Sequence, residues 1–338
     1  MTDAPLISVC IANYNGAEII SACIESVLVQ EGNFPVEILV HDDASTDDSA
    51  DIVARDYPGV RLIRSKTNVG FCIANNRMVA EAQGEFILLL NNDAELFPDA
   101  LRMLLSEARS QGKPAILSLP QYDYHGGELI DRGCLLDPFF NPVPNLDPKR
   151  QDVAMVIGAC LWIPKKLWDE LDGFPEWFGS IAEDMYLCCR ARLANYAVCA
   201  LNESGYRHRV GQSFGGGKAC GSKLSTTFRR RALSERNKTF VLAMTYPAPF
   251  MQIILPVHLF LLCLEGVCLS MLKFRMDFLR KIYLPVFADV WSKRKTLLVT
   301  RAEMINERRA VPDDFFECFD LIPYKLTMLM RHGFPEVK

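Results

Sequence analysis

Phe86-Ile87-Leu88-Leu89-Leu90 is wholly apolar and runs straight into Asn91-Asn92-Asp93-Ala94-Glu95. A half-exposed strand alternates polar and apolar residues, so an unbroken apolar run of this length reads as a strand covered on both faces. Three further strands are read before it, the apolar Leu6–Ala12 and Val36–Val40 and the more mixed Val60–Arg64. Helix-spaced segments separate them: Ala17–Gln30, Asp48–Asp56, and a stretch from Asn68-Val69-Gly70 through Ala82. Pro98 opens the next helix. Strand–helix alternation of this kind predicts an α/β fold, a mainly parallel sheet flanked by helices.

In such a sheet, ligands bind beyond the carboxyl ends of the strands. Here those ends carry Asn13-Tyr14-Asn15, Asp42-Asp43 and Asn91 to Glu95. The Gly-rich fingerprints of dinucleotide and P-loop binding, G-x-G-x-x-G after the first strand and G-x-x-x-x-G-K-[ST] anywhere, are missing. Residues 121–150 are rich in Pro, Gly and Asp and read as irregular hairpins. Val153–Ile163 reads as a strand with Gly158 inside it, where a small residue admits a close neighbour. A short helix over Lys165–Leu171, a helix opening at Glu183-Asp184 and running to Ala194, and a strand over Tyr196–Leu201 follow.

Each polar cluster has a functional and a plain reading. Asp93 and Glu95 are hard oxygen ligands suited to Mg²⁺ or Mn²⁺, or they belong to a polar turn capping the next helix. His208 is a neutral imidazole ligand or an ordinary loop histidine. Asp184 is a general base or a helix-start charge. Asp42 and Asp43 bind a base and ribose, or form an Asx turn.

In order along the chain these pieces read N-Y-N, D-D-A-S-T-D, N-V-G-F-x-x-A-N-N, L-L-L-N-N-D-A-E, G-A-C, G-F-x-x-x-F, E-D-M-Y-L-C-x-R-A and H-R-V-G-x-S. The set resembles the inverting glycosyltransferases of family 2, with the GT-A fold. It is most similar to the rhamnosyltransferase-like branch that builds bacterial surface polysaccharides. The likeness covers roughly Leu6 to Ser213. It implies transfer of a sugar from a UDP-, dTDP- or GDP-linked donor to a glycan or a polyprenyl-linked acceptor. It also implies a divalent metal, Mg²⁺ or Mn²⁺, as cofactor. By the same resemblance, Asn13 and Tyr14 line the nucleotide pocket, Asp43 beside Asp42 binds the nucleobase, and Asn68 and Gly70 close over it with Asn75 behind. Asn91, Asn92 and Asp93 match the family's D-x-D segment, with Asn91 in place of its first aspartate. Asp93 holds the metal, helped by Glu95 and His208. In the Glu183-Asp184 pair the aspartate is the base, and Gly158, Trp162 and Phe178 lie near the sugars. Transfer directly to polyprenyl phosphate and a catalytically inactive nucleotide-sugar binder are the alternatives.

The formal net charge of −4 excludes a dedicated nucleic-acid binder but hides a split. Residues 207–309 hold 19 Lys/Arg against 6 Asp/Glu, a net of +13, and the remaining 235 residues carry −17. Within the basic part, Phe250–Ser270 is 21 mostly apolar residues, about 31 Å as a helix. Gln252, Pro256, His258 and Glu265 spoil it as a clean span, and basic residues flank it on both sides. A second mixed helix follows over Phe278–Trp291. A re-entrant or interfacial pair on an anionic membrane surface fits best, with a soluble subdomain or a dimer interface as the plain reading. The expected division is a catalytic domain over 1–228 and a helical, membrane-associating region over 229–338. Met1 to Pro5 show no signal-peptide pattern. The 12 cysteines lack C-x-x-C spacing, which suits a reducing compartment. The expected location is the cytoplasmic face of the inner membrane.

Overall fold

The computed structural model describes residues 4–209, 216–220, 223–333 and 336–337. The chain divides into two compact units. The first holds residues 4–134, 144–191 and 196–209. The second gathers 135–143, 192–195 and the described residues from 210 onward. Its two early excursions are ones that no single boundary along the chain can express.

In chain order the elements up to His208 are β1 (Ile7–Asn13), α1 (Ile20–Leu28), β2 (Val36–Asp42), α2 (Ser49–Asp56), β3 (Arg61–Arg64), α3 (Phe71–Glu81), β4 (Phe86–Asn91) and β5 (Ala94–Leu96). There follow α4 (Ala100–Ser110), β6 (Ala115–Ser118), β7 (Gln121–Asp123), β8 (Leu129–Asp131), β9 (Cys134–Leu136), β10 (Pro142–Pro144), β11 (Cys160–Pro164), α5 (Lys165–Glu170), α6 (Glu183–Leu193), β12 (Ala197–Ala200) and β13 (Tyr206–His208). The main sheet has seven strands in the order β12-β6-β11-β4-β1-β2-β3. β4 lies inside it with Phe86 to Leu90 all buried, as its unbroken apolar run requires. α1 turns Ile20, Cys23, Ile24 and Val27 onto the sheet at helical spacing.

The mainly parallel sheet contains one reversed strand. β11 runs antiparallel to both β4 and β6, with Trp162 opposite Leu88 and Leu117. β11 is also shorter than the Val153–Ile163 strand read from the sequence, and Gly158 falls in the turn that precedes it. A second sheet, β5-β13-β7-β8, accounts for part of the irregular hairpin region. In it β13 pairs antiparallel with β5, setting His208 opposite Ala94, and Arg209 N donates to Asp93 O at 3.0 Å. This sheet carries a residue from far along the chain to the end of β4.

The second unit contains β14 (Gly216–Cys220), β15 (Lys223–Thr226), α7 (Phe228–Thr245), α8 (Met251–Leu272), a π-helical stretch (Leu279–Tyr283), α9 (Leu284–Glu307), α10 (Pro312–Phe316), α11 (Tyr324–His332) and β16 (Glu336–Val337). α8 covers the apolar run read from the sequence, but the following helix continues well past Trp291. Leu262 and Leu269 of α8 pack with Phe278, Ile282, Tyr283 and Val286. Arg301 of α9 donates to Tyr246 O at 2.7 Å, and to Ala243 O and Met244 O at 3.3 Å. It thereby satisfies carbonyls that the end of α7 leaves open.

Candidate active site

The loops after β1 and β2 interlock through side chains. Asn13 Nδ2 donates to Asp42 Oδ1 at 3.0 Å and to Ser49 Oγ at 2.9 Å, while its Oδ1 accepts from Asn92 Nδ2 at 2.8 Å. Asp42 Oδ2 accepts from Ser45 N at 3.1 Å. Asn15 accepts from Thr46 N at 2.8 Å, and Asp47 from Ala17 N at 2.9 Å. Gly16 sits against this cluster so closely that a Cβ there would meet Asn13 Oδ1 at 2.2 Å and Asn92 Nδ2 at 2.5 Å. Three strand ends, of β1, β2 and β4, are thus fastened together by one buried amide. Asn13 and Asn92 are buried, so their side chains hold the floor of the site in place of lining its surface. Tyr14, by contrast, is 51% exposed at the rim.

Asp43 fastens the next loop. Its two oxygens accept from Val69 N at 2.7 Å and Gly70 N at 2.8 Å. Gly70 has φ +90, and a Cβ there would lie 3.2 Å from Gly179 O. Left-handed backbone and close approach both call for glycine. Asn68 is exposed at the tip of this loop. Asn75 is buried inside α3 and donates to Phe71 O of its own helix at 2.9 Å, so it supports the loop from behind and presents nothing to a ligand.

At the end of β4, Asp93 Oδ1 and His208 Nε2 lie 3.0 Å apart. Asn91 Oδ1 is buried and, among the described residues, receives no hydrogen bond. Asn91 Nδ2 is 3.5 Å from the same His208 nitrogen. A buried carboxylate oxygen, an unsatisfied amide oxygen and an imidazole nitrogen are hard and borderline donors suited to a divalent cation. The residues therefore fit such an ion, with the remaining ligands coming from elsewhere. No group of three His, Cys, Asp or Glu side chains converges among the described residues. Glu95 faces Arg209 at 3.7 Å. The Arg209 guanidinium in turn lies 3.6 Å over the Tyr124 ring.

Asp184 is the second residue of α6, whose first turn also carries Glu183. Its Oδ2 accepts from Gly158 N at 2.9 Å and its Oδ1 from Met185 N at 2.7 Å. The two residues before the pair, Ile181 and Ala182, are both left-handed, at φ +73 and +67. Each such residue costs about 1–2 kcal/mol, and strain of this kind collects where the surrounding structure dictates a geometry. Glu183 is buried, whereas Asp184 keeps part of its surface open.

Two aromatic expectations are corrected. Trp162 is 0% exposed and stacks on Phe86 at 5.1 Å. Phe178 is buried against Trp177 and Tyr186. Both belong to the core, because an aromatic with no exposed face offers no surface to a sugar. Asp131, on β8, was not anticipated. It is buried and accepts from Gly133 N at 3.0 Å. Burial pushes its carboxyl up to about 7, against the opposing pull of that hydrogen bond and of His208. Its place in a Pro/Gly-rich hairpin gave no local signal.

Residues 8–171 match the family profile described as Glycosyl transferase family 2. They form a glycosyl transferase family 2 domain. The chain is 32% identical over 188 residues to chondroitin synthase of Escherichia coli, a match covering 54% of the chain and 26% of that enzyme. It thus corresponds to about a quarter of that relative's length. It is 25% identical over 211 residues to the N-acetylglucosaminyl-diphospho-decaprenol L-rhamnosyltransferase of Mycobacterium tuberculosis (strain CDC 1551 / Oshkosh), covering 54% of the chain and 69% of the relative. Among solved structures, the mannosyltransferase from Pyrobaculum calidifontis in complex with GDP-Man and Mn²⁺ superposes with a TM-score of 0.52 at 17% identity, over 90% of this chain and 88% of that one. That likeness shows the GT-A fold of the family 2 domain.

Proposed function

We propose that the chain is an inverting, metal-dependent glycosyltransferase that moves a sugar from a nucleoside diphosphate to a glycan or lipid-linked glycan acceptor. The observation that carries this reading is the buried pairing of Asp93 Oδ1 with His208 Nε2 at 3.0 Å, with the unsatisfied Asn91 amide oxygen beside it. The donor would lie over the fastened loops, its base against exposed Tyr14 and Asn68, under the loop that Asp43 holds. Asp93 and His208, with the Asn91 amide oxygen, would hold Mg²⁺ or Mn²⁺. That ion, when bound, neutralises charge on the leaving diphosphate.

The protein's own part is positioning and proton transfer. A sugar hydroxyl is a poor nucleophile, so a carboxylate must take its proton as the new C–O bond forms. Asp184 does this: the hydroxyl oxygen attacks the anomeric carbon, the bond to the diphosphate breaks, and the proton passes to the carboxylate. Inversion requires the base on the face opposite the leaving group, which suits a base on α6 and not on the β4 end. The backbone donors of Gly158 and Met185 hold that carboxylate in one rotamer. The mannosyltransferase complex and the synthase and rhamnosyltransferase relatives support the donor and metal classes and the surface-polysaccharide role. A polyprenyl-linked acceptor would be met at the cytoplasmic face of a bacterial inner membrane, where UDP-, dTDP- and GDP-sugars are made.

The test is a thermal-shift screen of these nucleotide sugars with Mn²⁺ or Mg²⁺, followed by turnover of any stabilising donor. Metal-dependent stabilisation with turnover supports the reading. Nucleotide binding without turnover on any glycan or polyprenyl acceptor would reduce the chain to a binding protein.

A further inference from the structure

The two sides of α8 differ in character. Its inner side buries His258, Leu262, Gly266 and Leu269, one stripe at spacings of three and four. Gly266 lies so close to Tyr283 that a Cβ would meet its ring at 2.8 Å. Glu265 pairs with Arg231 and, at 2.8 Å, with Lys325. Lys325 also reaches Glu235 at 2.6 Å, and Glu235 holds Lys238 at 2.8 Å. His258 Nε2 meets Thr239 Oγ1 at 2.9 Å, and burial pushes this imidazole down to about 3, so it is neutral at pH 7.

The outer side has none of this. Ile253, Phe260, Leu264 and Met271 are exposed, Phe260 by 67%. From Ile253 to Leu272 no exposed residue is charged. At 1.5 Å per residue that apolar face runs about 30 Å, larger than soluble surfaces usually leave bare. The face ends at a basic tip. Phe274, at φ +50, projects with 96% of its surface exposed. Lys273, Arg275, Arg280 and Lys281 are exposed beside it, with Asp277 as the local counter-charge to Arg275 at 3.1 Å and Lys281 at 3.2 Å.

By length and hydropathy, α8 would pass for a membrane-crossing helix. The packing points elsewhere. A crossing helix surrounded by lipid would take Glu265 and His258 from their partners into hydrocarbon, where ionised side chains are rarely left unpaired. We propose that α8 lies in the plane of an anionic leaflet, its outer face among the acyl chains, Phe274 inserted, and the basic tip on lipid phosphates. Apolar surface and cationic surface adjoin here, as hydrocarbon and anionic headgroups adjoin in a leaflet. A second copy of the chain matches less well. Laid antiparallel, it would offer the basic tip its Tyr246–Gln252 end, which contains no carboxylate. The inference rests on the helical unit alone and is independent of the transferase reading.

The test is flotation of the full chain with phosphatidylcholine vesicles, with and without phosphatidylglycerol, across a salt series. Binding that needs the anionic lipid and weakens at least tenfold between 0.1 and about 0.5 M salt is expected, as for a headgroup contact within reach of screening. A Phe260→Ser/Leu264→Ser/Phe274→Ser variant, checked for unchanged circular dichroism, should lose binding at low salt. Orientation is read from single cysteines. Exposed Cys263 and Cys268 should be shielded from an impermeant maleimide on vesicles and labelled without them. Gln252→Cys and Arg275→Cys should both label from outside sealed vesicles. Labelling of one end alone would establish a crossing and overturn the in-plane geometry. A lipid-free dimer that shields Cys263 and ignores vesicles would overturn the membrane assignment, and turnover measured on the same samples would show whether the transferase reading stands.

Discussion

Gly158 donates its backbone N–H to Asp184 Oδ2 at 2.9 Å, and the next residue, Ala159, accepts from Asn91 N at 3.0 Å. One turn therefore joins the carboxylate at the head of α6 to the end of β4, two residues before Asp93. The two carboxylates proposed to act on opposite sides of a reacting sugar are thus linked through the Gly158-Ala159 backbone, by one bond to the Asp184 side chain and one to the Asn91 backbone. Preorganisation of that kind keeps reacting groups in place without a reorganisation cost at the moment of reaction.

Replacing Asp184 with Asn keeps the size and one acceptor but removes the proposed base. Turnover should fall about 10²–10⁴-fold, the usual contribution of a positioned general base. Nucleotide affinity, measured calorimetrically, should stay within about twofold. A variant that still turned over near the parent rate would show that the acceptor needs no base, as an already anionic polyprenyl phosphate would not.

Asp93→Ala and His208→Ala should each abolish the dependence of nucleotide affinity on Mn²⁺. Chelation by EDTA should do the same to the parent protein, reversibly. If calorimetry with Mn²⁺ gave the same affinity for parent and Asp93→Ala, the metal role of this pair would be wrong.

Asn13 is the hub of the floor, so Asn13→Ala strands buried Asp42 and Asn92 without their partner. Loss of a buried hydrogen-bonding partner costs about 1–3 kcal/mol. Urea denaturation should read that loss in midpoint, and donor affinity should weaken as well because three strand ends are released together. Unchanged stability would mean that water replaces the amide without penalty.

Asp131 supplies a pH signature. Its carboxyl titrates near 7 when folded, against 3.8 for the ordinary group. The folded state therefore binds more protons than the unfolded state between about pH 4 and 7, and stability falls as pH rises through that window. Above pH 7 the contribution levels off. Asp131→Asn keeps an acceptor for Gly133 N–H and should remove the slope, making the variant more stable than the parent at pH 8. Parallel stability curves for the two proteins would rule out the burial effect.

Much of the fold is legible locally because its signals are local. The apolar runs at Ile7–Asn13 and Phe86–Asn91 cannot be satisfied except inside a sheet, and each is followed by the turn chemistry that ends it. The reversed β11 was not legible, since a short apolar strand carries no mark of its direction. Trp162 and Phe178 misled for a related reason: an aromatic residue looks alike in a core and in a sugar pocket until its neighbours are known. The Arg209 partner of Glu95 was not legible either, because it arrives on the residue after β13 from far along the chain.

The strand–helix alternation, the polar strand ends, the acidic pair at 183–184 and the uneven distribution of charge could all be read from residue order. These follow from residue type and short-range spacing. Tertiary structure alone decided that His208 meets Asp93, since that depends on β13 pairing with β5 across more than a hundred residues. It also decided that α8 turns its one carboxylate, Glu265, onto Arg231 and Lys325 and bares its apolar side. Hydropathy averages a helix around its circumference, and only packing reveals which side of it the protein has kept for itself.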